Sequence, residues 1–202
     1  TMVSASFDPH PHIGHGFEVS FESGRPRPIG FPPVASTHHF HSGTGMKPKS
    51  WPEITSRSGT YVLVLRSSIH RRLAIGRLGP LVLEPGTWLY VGSAFGPGGL
   101  RARTNRHRTK HTGRRWHIDF LKPWVRLAEI WFTEDPVHRE HEWANWFGSN
   151  EGLHTPLPGF GSSDCRCRSH LFHAAKAPDF DWFCTMQSTT GGKAVDRLRL
   201  DS

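Results

Sequence analysis

The sequence predicts an α/β chain of the α+β type, a small and mostly antiparallel central sheet flanked by helices. Three features lead there. A continuous apolar run occupies Tyr61-Val62-Leu63-Val64-Leu65, short apolar runs broken by Gly and Pro follow up to Val91, and longer helix-like segments come only after Gly99. With 202 residues, 36% of them hydrophobic and eight Trp, the chain can build one ordinary domain plus tails.

Residues 1–45 are rich in His, Pro and Gly and hold no sustained period of two or of 3.6, so they read as a disordered leader. Met46 stands directly before Lys-Pro-Lys-Ser-Trp and the first strand. It is therefore taken as the native start, with residues 1–45 as spurious upstream translation. The folded domain is expected over residues 46–175.

The run from Tyr61 to Leu65 suits a central strand covered on both faces, and Gly59 marks its start. Leu73 to Ile75 and Leu81 to Leu83, separated by Gly76 and Gly79-Pro80, read as short strands or a hairpin arm. Glu84-Pro85-Gly86 supplies a turn into the strand Thr87 to Val91, giving a meander. The Gly-rich loop Gly92 to Gly99 leads into a helix from about Leu100 to Lys110, on which Arg103 and His107 share one face. Trp116 to Leu121 reads as a short second helix, Leu127 to Phe132 as a strand, and Pro136 to Phe147 as a helix with Pro in its first turn. Residues 176–202 are expected to form a flexible tail, with only a weak helical hint at Val195 to Leu200.

Charge narrows the function classes. Residues 46–175 carry nineteen Lys/Arg against ten acids, so the excess of the whole chain lies there. Arg101, Arg103, Arg106, Arg108, Lys110, Arg114 and Arg115 fall within fifteen positions, the footprint expected for phosphate contacts with nucleic acid. Three cysteines and no apolar signal segment fit a reducing, cytoplasmic setting, and no run reaches transmembrane length. A nucleotide-binding reading of the Gly-rich loop fails, because no Gly-Lys-Ser/Thr closes it and no G-x-G-x-x-G follows a strand. The loop instead lets the chain turn closely against a phosphate at the N-terminus of the next helix.

Two Tyr motifs, Gly59-Thr60-Tyr61 and Tyr90-Val91-Gly92, are followed by Leu100-x-x-Arg103-x-x-x-His107 and then an acidic helix. In this order they resemble the GIY-YIG nuclease superfamily. Gly76-Arg77-Leu78-Gly79, Pro85-Gly86, Tyr90 to Ala94, Arg106-His107, Trp116 to Asp119 and Phe160 to Phe172 resemble the signature blocks of its Uri-type branch. The resemblance implies a one-metal phosphodiesterase, an endonuclease using Mg²⁺ or Mn²⁺, with Tyr61 as general base. Fusions of the family's domain to repair enzymes make DNA the expected substrate.

Phosphodiester hydrolysis calls for an activated water, charge neutralisation on the phosphoryl oxygens and a cation near the leaving oxygen. Arg103 suits the scissile phosphate, Tyr90 positions water or phosphate, and His107 acts as proton relay or phosphate donor. Glu142 is expected as the metal ligand beside the buried Trp143 and Trp146, with Glu140 as its rival. Arg101, Arg106, Arg108, Lys110, Arg114 and Arg115 grip nucleic acid. Cys165, Cys167, His170 and His173 do not follow a usual zinc-finger spacing, and Ser162, Ser163 and Asp164 read as a tight turn.

The chain departs from the superfamily pattern in three ways. Tyr61 and Tyr90 stand 29 positions apart, which calls for an added hairpin between them. Thr60 and Val91 replace the eponymous isoleucines, and no DNA-targeting domain follows residue 175. Specificity is then intrinsic or supplied by a protein partner. The competing reading is a module of the same fold that binds nucleic acid without cutting it.

Overall fold

The computed structural model describes residues 53–109 and 113–200. The expected leader, the start at Met46 and the phosphate contact at Lys110 lie outside the described residues.

Five strands form one sheet in the order β6-β4-β1-β5-β7, every neighbouring pair antiparallel. β1 (Thr60–Ser67) is its centre, flanked by β4 (Gly86–Ser93) and β5 (Arg126–Thr133), with β6 (Leu171–Ala174) and β7 (Asp196–Arg199) at the edges. The α+β class and the central placement of the first apolar run are as expected. Alternation along β1 explains that run: Tyr61, Leu63 and Leu65 enter the core on one face, while Val62 and Val64 enter a second core on the other.

The added hairpin is present, but the meander is not. β2 (Arg71–Ile75) and β3 (Gly79–Leu83) pair only with each other, as a separate two-stranded sheet. Leu73, Ile75, Leu81 and Leu83 point one way and join the Tyr61 core, leaving β1 free to pair directly with β4.

α1 (Gly99–Arg108) follows the Gly-rich loop and ends two residues short of the expected Lys110. The expected second helix is a single 3₁₀ turn, His117–Phe120, followed by another at Lys122–Trp124. α2 (Glu140–Ser149) starts four residues later than expected. Pro136 sits instead in a turn closed by Asp135, whose Oδ1 accepts the Val137 N–H at 2.9 Å, and the Arg139 N–H reaches across to Thr60 Oγ1.

The segment after residue 175 is no flexible tail. α3 (Phe180–Thr189) is capped by Asp179 and buries Phe183 completely against Trp131, Trp143 and Phe147. Val195 to Leu200, read as weakly helical, is mostly β7, paired with β5 from Glu129 to Phe132. The folded unit therefore runs past residue 175 to the end of the described chain. Among the described residues no helix is long and apolar enough to cross a membrane.

Candidate active site

The two tyrosines come together because β1 and β4 are neighbours, with Tyr61 directly opposite Gly92. A Cβ at Gly92 would stand 2.5 Å from the Tyr61 ring. The glycine of Tyr-Val-Gly is thus the space into which the first phenol folds. Gly161, at φ +73°, plays the same part for Tyr90, whose ring would lie 3.0 Å from a Cβ there.

The Tyr61 hydroxyl stands 3.0 Å from Nε2 of His107, which the helical spacing of α1 sets one turn beyond Arg103. Burial pushes the Tyr61 phenol well above its ordinary range, with Tyr90 adding to the shift and Arg103 opposing it. Tyr90 is raised too, by burial and then by the Glu140 charge. Burial, reinforced by the Lys122 charge, lowers His107 from 6.5 to about 3. At neutral pH the pair is therefore an un-ionised phenol hydrogen-bonded to an un-ionised imidazole.

Around them lies a polar pocket of about 300 Å³, and its lining includes Tyr61, Tyr90, Ser93, Arg103, Arg115, Trp116, His117, Glu140, Ser163 and Asp164. Arg103 enters it with its guanidinium 4.7 Å from the centre of the Trp116 ring. Glu140, on the first turn of α2, supplies a carboxylate. Burial pushes that carboxyl up, but contacts with His170 and the Ser93 hydroxyl outweigh it and hold Glu140 below the usual range, as an anion.

Glu142, the expected metal ligand, is not part of this lining. Its Oε2 accepts from Arg139 Nη1 at 2.9 Å, and Arg139 also bonds Asp135 at 3.0 Å, so Glu142 belongs to the brace that starts α2. Partners decide this: Arg139 holds Glu142 at the start of α2, whereas Glu140 meets His170 and the Ser93 hydroxyl and lines the pocket.

The other expected phosphate grips divide. Arg106 donates to Asp119 Oδ2 at 2.8 Å and lies 4.2 Å from the Trp116 ring centre. The same Asp119 oxygen accepts the N–H groups of Arg115 and Trp116, so Arg106 ties α1 to the following turn. Arg101 bonds the Ile54 carbonyl. Arg108 and Arg114 are exposed, and Arg115 is exposed at the pocket. Nor is the N-terminus of α1 a phosphate cradle: the N–H groups of Gly99, Leu100 and Arg101 already donate to the carbonyls of Gly96, Arg57 and Thr55.

The sequence reads Asp164 as part of a tight turn and gives it no place in the site. The turn exists, closed by the Cys165 N–H to the Ser162 carbonyl, yet it is folded over β4 by bonds from Val91 to His170 and from His170 to Phe160. The Gly161 N–H donates to His117 Nδ1, which fixes the loop against the 3₁₀ turn. Only that docking makes Asp164 a wall of the pocket. Behind it, Cys165, Cys167 and His170 gather with His141 of α2, whereas His173 lies apart with His154 and Glu84.

A family model described as "Domain of unknown function DUF123" matches residues 60–189, more than half of the chain. No curated protein matches, and no solved structure does.

Proposed function

The chain belongs to the DUF123 family, and from the chemistry of its pocket we propose that it is a divalent-metal-dependent endonuclease acting on nucleic acid, DNA in the first instance, in a cytoplasmic setting. What carries the reading is the convergence of Tyr61, Tyr90, Arg103 and an ionised Glu140 on one polar pocket, with His107 hydrogen-bonded behind Tyr61.

The donor set suits a hard cation. Glu140 and Asp164 offer carboxylate oxygens, with Ser93 and Ser163 beside them, and Mg²⁺ typically takes one or two carboxylates and keeps several waters. When bound, Mg²⁺ or Mn²⁺ would lower the pKa of a water and neutralise charge at the phosphoryl oxygens.

The protein's own groups do the rest. Tyr61 is too costly to ionise where it sits, so it works as a relay: its oxygen takes a proton from the attacking water while its own proton passes to His107 Nε2. An anionic phosphate in the pocket favours that transfer, since a nearby negative charge stabilises imidazolium. Arg103, held by Trp116, neutralises charge that grows on the phosphate, and Arg115 stands at the rim for the same purpose.

Labelled single- and double-stranded DNA and RNA incubated with Mg²⁺ or Mn²⁺ test this. Wild type and Glu142→Gln are expected to cut, and Glu140→Gln to bind without cutting. Arg103→Ala should slow single-turnover cleavage by roughly 10²–10³, about 3–4 kcal/mol of barrier. Wild-type protein that binds these substrates but cuts none with either metal would make the chain a binding module.

A further inference from the structure

We propose that His141, Cys165, Cys167 and His170 form a closed, four-ligand Zn²⁺ site that braces one wall of the pocket. The four side chains come from two places in the chain, the first turn of α2 and the loop leading into β6, and each offers a ligand atom within 4.8 Å of every other. A tetrahedral zinc ion with ordinary Zn–S and Zn–N bonds sets its ligand atoms about 3.4–3.8 Å apart. His141 Nδ1 stands 3.2 Å from Cys167 Sγ, and Cys165 Sγ stands 3.4 Å from His170 Nε2. Contraction of the outer pairs by about 1 Å completes the tetrahedron.

Two further observations point the same way. Cys165 and Cys167 are free thiols, and two sulfurs with two imidazoles are a donor set that favours zinc over the hard cations suited to Glu140 and Asp164. His170, buried, turns Nε2 toward Cys165 while its Nδ1 stands 3.2 Å from Glu140 Oε1. That is the carboxylate–histidine–metal arrangement, in which the outer carboxylate orients the ligand ring.

The consequence is structural. Between Pro158 and His170 the loop holds only turns and bends, so a metal tying it to α2 would fix its position. The ion would also connect the two pocket carboxylates, reaching Glu140 through His170 and Asp164 through its neighbour Cys165. Four protein ligands leave no open position for catalysis at this ion.

The test needs no cleavage assay and is therefore independent of the nuclease reading. Untagged full-length protein, dialysed against a chelating resin, is analysed by mass spectrometry for metal, beside His141→Ala and the double variant Cys165→Ser/Cys167→Ser. Wild type should keep about one zinc per chain and both variants should lose it; because His141 is exposed, its variant keeps the fold for comparison. Co²⁺-loaded wild type should show strong tetrahedral d–d bands and thiolate charge transfer that the double variant lacks. A wild type that retains no zinc and gives a weak octahedral Co²⁺ spectrum would overturn the proposal. So would variants retaining as much zinc as wild type, since the ion would then be held elsewhere, as on the His-rich leader.

Discussion

Tyr61 and His107 share one hydrogen bond and the same penalty for charge, and this gives the protein a specific pH response. His107 binds its proton at about 3 in the folded chain against an ordinary 6.5. Between those values the unfolded chain holds more protons than the folded one, so stability rises with pH across the window and is lost as pH falls below 6.5. The slope approaches about 1.4 kcal/mol per pH unit. Urea unfolding at pH 7.5 and pH 5.5 should differ by roughly 1 kcal/mol more in wild type than in His107→Gln. Equal differences in the two proteins would show that the imidazole is not held neutral by burial. Asp135 and Glu140, lowered from 3.8 and 4.5, take up protons mainly below the pH 5.5 to 7.5 span of this measurement, so they do not mask it.

Among the elements, α3 shows how much a short C-terminal segment can support. Asp135 accepts from Lys193 and Gln187 as well as from Arg139, so the end of α3 and the residues after it are bonded to the turn that leads into α2 and Glu140. Phe183 packs among four large rings, Trp131, Trp143, Trp146 and Phe147, with no exposed surface. Phe183→Ala should cost about 3–5 kcal/mol, read as a fall in the denaturant midpoint with the slope unchanged. A chain ending at Ala175 should fail to give a cooperative transition. A stable, cooperative chain of that length would mean that β5 and α2 do not need their C-terminal cover.

At the scale of the whole molecule, the described cations separate into those tied into the fold and those exposed, with Arg114 exposed but resting 5.1 Å from the Phe120 ring centre. Arg106 is tied to Asp119 and Arg101 to a backbone carbonyl, whereas Arg108 and Arg114 are exposed. On duplex DNA each neutralised phosphate contributes about −0.9 to the slope of log K against log salt. Arg108→Ala and Arg114→Ala should each flatten that slope by about one in a fluorescence anisotropy titration while leaving the unfolding midpoint in place. Arg106→Ala should lower the midpoint. Unchanged slopes in the first two would place the nucleic-acid surface elsewhere.

Local chemistry was enough to read the α+β class, the central strand, the hairpin, and Arg103 and His107 on one helical face, because strand alternation, glycine turns and helical spacing act over a few residues; Tyr61 and Tyr90 joined them only through the resemblance of the motif order. The choice of Glu140 over Glu142 was not legible, since it rests on partners distant in sequence: Glu140 meets Ser93 and His170, while Arg139, itself bonded to Asp135 and Thr60, takes Glu142. α3 and β7 were hidden for a similar reason: a ten-residue helix and a four-residue strand become ordered when β5 offers an edge and Trp131 and Trp143 offer a cover. Asp164 and the pairing of His141 with Cys165, Cys167 and His170 likewise arise from a loop folded onto a strand. Sequence thus determined the class, the central strand and the hairpin beside it. Tertiary structure decided which carboxylates face the pocket, because long-range contacts, not local propensity, set helix register and loop docking.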